Sequence, residues 1–205
     1  MTEFDLQYYG DYAPILQETE QMVLDELNRI IQSITQNEEY SPAEHIRSRI
    51  KSSASMQEKL QKREVPSSAE NALKEVSDAV GIRIVTHFIG DVYTILQKIQ
   101  ECSCWKVLKI KDYIAEPKPN GYRSLHVIVQ IPFADERIQS IKAEIQLRTI
   151  AMDCWASLEH QMKYKKNIEN AALIISELHR CADEMASTDM TMQTIRDMIQ
   201  KDKAD

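Results

Sequence analysis

The stretch SIKAEIQLRT (140–149) alternates without a slip. Ile141, Ala143, Ile145 and Leu147 fall on one side of an extended chain, while Lys142, Glu144, Gln146 and Arg148 fall on the other. A strand of this kind packs its apolar face against helices and turns a row of ionic and amide groups the opposite way. Its fold class is therefore that of a half-buried sheet, and the polar row is a place to build a site.

Working upstream, SLHVIVQI (124–131) repeats the pattern, with Leu125, Val127, Val129 and Ile131 on one face and Ser124, His126, Ile128 and Gln130 on the other. WKVLKIKDY (105–113) also reads as a strand, although its phase at Lys109 stays open. GIRIVTHF (81–88) is a β-branched run, and the following DVYTILQKIQE has helical spacing at Val92, Ile95, Leu96 and Ile99. Arg47, Arg49 and Lys51 alternate at period two, which predicts a strand there and a helix at about 53–63. Residues 12–36 carry apolar groups at helical spacing. Downstream, helices are expected at about 150–163 and 168–187, followed by a separate weaker segment containing Met192, Ile195 and Met198. This order is α+β with a mixed sheet.

Composition narrows the function classes. The 205 residues are 43% hydrophobic and 28% charged, which is ordinary for a globular protein. No apolar run approaches the roughly 18 residues of a membrane span, and the N-terminus lacks the basic-then-apolar order of a signal peptide. A soluble cytoplasmic protein is expected. Cys102, Cys104, Cys154 and Cys181 lack the spacing of common zinc sites and read as reduced thiols. The net charge of −7 argues against extended nucleic-acid binding. Against that acidic background stand two cationic islands: six cations to three acids over 44–65, and five to two over 105–126. They point to a compact polyanion site.

Asp78, before the strand GIRIV, and Glu144, on the polar face of a later strand, stand out against those islands. Two acids at adjoining strand ends can hold magnesium together with substrate phosphates, or can be solvated surface charge. Tyr122, in the turn PKPNGYRSLH (117–126), can stack on a base or pack under its own loop. His126 lies on the polar face, as a donor or as a structural histidine. Arg83 alternates with Ile82 and Ile84 onto the polar side, where arginine can stack on a base or pair with phosphate.

RSRIKSSASMQEKL, DAVGIRIV, KDYIAEPKPNGYRSLH and EIQLRTIAMDCWASLEHQMKYK resemble, in order, the motifs of the RelA/SpoT synthetase domain. The resemblance runs from about residue 44 to 166. It implies a nucleotidyltransferase-like mixed sheet flanked by helices, in a single domain: a helical extension over 1–40, a catalytic core over 44–166 and C-terminal helices over 167–205. The activity it implies is that of a small alarmone synthetase, a GTP pyrophosphokinase moving the β,γ-pyrophosphate of ATP to the 3′-hydroxyl of GDP or GTP. By position, Arg49, Lys51, Ser55 and Lys59 would hold ATP phosphates and Arg83 would stack on adenine. Asp78 and Glu144 would bind Mg2+, with Glu144 also taking the hydroxyl proton. Tyr122 would stack on guanine, and Lys111, Lys118, Asn120, His126 and Gln146 would position the acceptor. Asp153 is a further candidate for the guanine edge. A toxin-like relative using adenine nucleotides or tRNA as acceptor, or a silent nucleotide-sensing module, are the competing readings. The expected partners are the two nucleotides, the alarmone product as an effector, and further copies of the chain in a homotetramer.

Overall fold

A computed structural model describes residues 1–38, 40–163 and 170–202. Five strands form one mixed sheet: β1 (Ala43–Ile50), β2 (Val80–Thr86), β3 (Lys106–Asp112), β4 (Leu125–Pro132) and β5 (Ser140–Thr149). They lie side by side in the order β1-β2-β5-β4-β3, and only the β2–β5 pair is parallel. All five predicted strands are present. The open phase of the third is explained by a register shift between Val107 and Lys109, which skips Leu108 in the pairing and returns Lys109 and Lys111 to the polar face.

The apolar face is covered by α2 (Ala13–Glu38) and α5 (Ile89–Glu101). The helical stripe of α2 buries Leu16, Val23, Leu27 and Ile34 in one cluster with Ile82, Ile84, Val127, Ile145 and Leu147. The N-terminal stripe thus belongs to the main core. Two seven-residue helices, α1 (Glu3–Tyr9) and α4 (Ala69–Glu75), are too short for the sequence period to announce, but each begins at a capping hydroxyl. In α1 the Asp5 carboxylate also reaches forward to accept from the backbone N–H and hydroxyl of Ser53, at 2.7 and 2.8 Å. It thereby ties the N-terminus to the start of α3 (Ser53–Gln61).

At the other end, α6 (Ile150–Lys163) leaves β5 directly, and α7 (Ala171–Asp202) packs on α6 and α5. The predicted break near 187 is absent: α7 is one helix. Its polar stretch is helical throughout, and Thr188, Thr191 and Thr194 each donate to the carbonyl four residues earlier, at 2.9–3.0 Å, so their hydroxyls are satisfied within the helix. No helix among the described residues is long and apolar enough to cross a membrane.

Candidate active site

Strand pairing turns separate sequence motifs into rows. Arg47, Arg83, Gln146, His126 and Lys111 are successive cross-strand partners over all five strands. The neighbouring row is Arg49, Gly81, Glu144, Ile128 and Lys109. Because Gly81 has no side chain, Arg49 folds over that position, its Cγ and Nε within about 4 Å of where a Cβ would stand.

Two clefts open on this face. The first, of about 240 Å³, is lined by Arg47, Arg49, Asp78, Arg83, Glu144 and Gln146 among others. The second, of about 430 Å³, is lined by Arg49, Arg83, Tyr122, Gln146, Arg148 and by Glu159 and His160 of α6. Arg49, Arg83 and Gln146 belong to both and form their common wall.

In the first cleft each carboxylate has its own company. Asp78 accepts from Lys59 Nζ at 2.7 Å and from Lys51 Nζ at 3.0 Å. Burial pushes its acidity the unfavourable way, but the two ammonium groups outweigh this and hold the carboxyl below its ordinary range. Glu144 meets His126 Nδ1 at 3.2 Å and Gln146 Nε2 at 2.7 Å. Burial and the nearby Asp78 raise its carboxyl, while His126 and Gln146 bring it net below the usual value. Both groups are therefore anionic at neutral pH.

An ionised Glu144 can only accept, so His126 donates from Nδ1, and in the neutral ring Nε2 then accepts from the Tyr122 hydroxyl, 2.9 Å away. That hydroxyl in turn accepts from Arg148 Nη2 at 2.7 Å. Arg148 also donates to Gln146 Oε1 at 3.0 Å and to Asp153 Oδ1 at 3.1 Å. A continuous hydrogen-bond path thus links Glu144 in the first cleft to Arg148 in the second. The Tyr122 ring carries the Lys118 ammonium over it, 4.8 Å from the centroid, and Lys118 reaches the Tyr113 ring at 4.7 Å as well.

Most of the residues singled out in the sequence meet here. Asn120 anchors the turn by donating to Glu159 Oε1 at 3.0 Å and accepting from the Tyr122 N–H. Lys51 and Lys59 reach the first cleft through Asp78, and Lys111 stands beside His126. Ser55 lines neither cleft: it sits exposed in the first turn of α3, its N–H capped by Ser52. Asp153 is engaged by Arg83 as well as Arg148, both at 3.1 Å. Arg83 is half-buried, and its Nε, buried, has no hydrogen-bond partner in the structure, at a cost of about 1–3 kcal/mol if left unmet. Arg148, which lines the second cleft and bonds Tyr122, Gln146 and Asp153, is the cleft residue that sequence reading did not single out. It shares the polar phase of β5 with Glu144 and Gln146, and that phase is the signal that could have found it.

The profile described as a region found in RelA / SpoT proteins matches residues 48–169. The GTP pyrophosphokinase YwaC of Bacillus subtilis is 41% identical over 145 residues, 70% of this chain and 69% of that protein. The GTP pyrophosphokinase YjbM of the same organism is 30% identical over 82% of this chain and 78% of its own length. Among solved structures, small alarmone synthetase 1 from Bacillus subtilis bound to its product pppGpp superposes with a TM-score of 0.82, at 28% identity, over 96% of this chain and all of that one. Sequence motifs, sheet order and these likenesses agree: the chain belongs to the RelA/SpoT family.

Proposed function

We propose that this GTP pyrophosphokinase makes alarmones by moving the β,γ-pyrophosphate of ATP to the 3′-hydroxyl of GDP or GTP, in the presence of Mg2+. The observation that carries the reading is the pair of clefts with one common wall. Two nucleotides seated in them would meet at Arg49, Arg83 and Gln146. ATP takes the cationic cleft of Asp78 and Glu144, and the guanine nucleotide takes the cleft of Tyr122.

The donor set of the first cleft fits magnesium: two anionic carboxylates line one opening, and Glu144 senses the charge of Asp78. Asp78 and Glu144 would hold the ion, which when bound supplies neutralisation of phosphate charge. Everything else falls to the chain. Lys51 and Lys59 leave Asp78 for phosphate oxygens, joined by Arg49. Arg83 stacks on adenine, bringing its unpartnered Nε to the ligand. Guanine stacks on Tyr122 in place of the Lys118 ammonium, which moves to the acceptor's phosphates together with Lys111, while Asn120, His126 and Gln146 fix the acceptor's orientation. Glu144, a weak base held ionised, accepts the hydroxyl proton as the bond from the 3′-oxygen to the β-phosphorus of ATP forms and the bond from that phosphorus to the α,β-bridging oxygen breaks, releasing AMP. Charge neutralisation and in-line positioning are what phosphoryl-type transfer needs most.

Further copies of the chain are proposed partners, in a homotetramer, because α7 exposes Met190, Met192, Met198 and Ile199. The cytoplasm, where both nucleotides occur, is the proposed location.

The test is transfer of label from ATP, with magnesium, to GDP, GTP, GMP, ATP or tRNA offered separately. Labelled guanosine tetra- or pentaphosphate is expected. Transfer mainly to tRNA or to an adenine nucleotide would overturn the acceptor assignment, and transfer to none of the five would overturn the activity.

A further inference from the structure

The turn that carries Tyr122 is gripped from outside the site by α7. Gly121 has φ +87°, a conformation that disfavours any side chain, and a Cβ built there would lie 2.6 Å from the Ala182 Cβ and 3.3 Å from the His179 Cα. Helix and turn thus approach more closely than a side chain would allow. Arg123, two residues on, joins the same surfaces by hydrogen bonds. Its Nη1 donates to the Gly121 carbonyl within the turn and to the Ala182 carbonyl of α7, both at 3.3 Å, and its Nη2 donates to Asp183 Oδ1 at 3.1 Å. The other Asp183 oxygen lies 3.2 Å from His179 Nδ1, which fixes the carboxylate towards Arg123. Arg123 is mostly covered, with 18% of its side chain exposed, whereas Asp183 is 53% exposed.

We propose that Arg123 is a positioning residue for the acceptor: it couples the 117–124 turn to residues 179–183 of α7, so the C-terminal helix sets how well Tyr122 and Asn120 receive the guanine nucleotide. This rests on the acceptor reading of the Tyr122 cleft. Arg123 lines neither cleft, so its effect reaches the acceptor through the turn. A partly exposed ion pair contributes little to global stability, which separates positioning from folding.

Three variants of the full chain, Arg123→Ala, Arg123→Lys and Asp183→Asn, test it with two readouts. In the transfer assay, Arg123→Ala is expected to raise KM for GDP about fivefold, with KM for ATP, kcat and melting temperature close to wild type. Arg123→Lys should recover part of the loss, since it keeps the charge but not the forked contact, and Asp183→Asn should fall between wild type and Arg123→Ala. Without nucleotide, hydrogen exchange at the amides of Gly121 and Tyr122 should quicken by a similar factor in Arg123→Ala. Equal rises in both KM values, or unchanged exchange at those amides, would overturn the proposal. If the wild type transfers to no guanine nucleotide, the acceptor reading falls, and the exchange arm then decides whether Arg123 holds the turn.

Discussion

The two clefts share three residues and differ in almost everything else. The first is built from charge: two carboxylates, of which Asp78 is neutralised by Lys51 and Lys59, partners that can be exchanged, while Glu144 is held by His126 and Gln146. The second is built from fixed hydrogen bonds, with the Tyr122 hydroxyl held between Arg148 and His126 and the turn anchored by Asn120 on Glu159. A site for a triphosphate needs cations that can move to a new anion. A site for a planar base needs a surface that does not move. The difference predicts that substitutions in the first cleft remove the reaction, while those in the second remove the acceptor.

The sharpest way to break that division is Glu144→Gln. The substitution removes the negative charge and the proton-accepting ability and retains size and one acceptor oxygen. Transfer should fall by about a hundredfold or more, on the scale of a lost acid–base group. Circular dichroism and GDP binding should be retained. Transfer within tenfold of wild type would take Glu144 out of the mechanism.

In the second cleft, Tyr122→Ala should raise KM for the guanine acceptor by roughly tenfold or more, since base stacking on an aromatic ring contributes about 1–3 kcal/mol. KM for ATP should stay near wild type. Tyr122→Phe separates ring from hydroxyl. It keeps the stacking face but leaves Arg148 Nη2 without the oxygen it reaches at 2.7 Å, so its acceptor KM should rise less than in Tyr122→Ala. Equal damage to both substrates in Tyr122→Ala would erase the distinction between the clefts.

How far the sequence could foresee this depends on the length of each interaction. The period-two pattern of β5 placed Glu144 and Gln146 on one face because a strand's alternation is local. The cross-strand row from Arg47 to Lys111 was legible only as separate strands, since pairing order is a tertiary fact. Lys51 and Lys59 were visible as cations, yet their grip on Asp78 depends on β1 and β2 pairing antiparallel. Ser55 came from family resemblance alone, and the structure leaves it outside both clefts. Arg148 was in plain view within the motif, but its reach to Tyr122 spans 26 residues and no local pattern encodes it. The grip of α7 on Gly121 is of the same kind. The apolar spacing weakens past residue 187 and so reads as a separate segment, whereas the backbone continues as one helix to Asp202.

The smallest expected effect concerns carboxylates set apart by their partners. Asp78 and Glu144 have folded-state acidities lowered from 3.8 and 4.5, so their stabilising contribution is present above those values and is lost only as pH falls through the lower folded values. Between pH 8 and 5 they should leave stability flat. Asp189 of α7 is buried against the Thr149 hydroxyl; burial raises its carboxyl above 3.8, and the Thr149 bond offsets this only in part. The sign is therefore opposite: its contribution is fully present below 3.8 and is lost as pH rises through the raised folded value. Asp189→Asn keeps an oxygen for Thr149 and removes the charge that burial penalises. It should melt about 2 °C higher than wild type at pH 7.5, where a 1 kcal/mol change moves a domain of this size by about 2–4 °C, and level with it near pH 4. A lower melting temperature at pH 7.5 would mean that the Asp189 charge holds α7 to the end of β5. The polar fastening of this helix would then resemble the charged first cleft more than the hydrogen-bonded second.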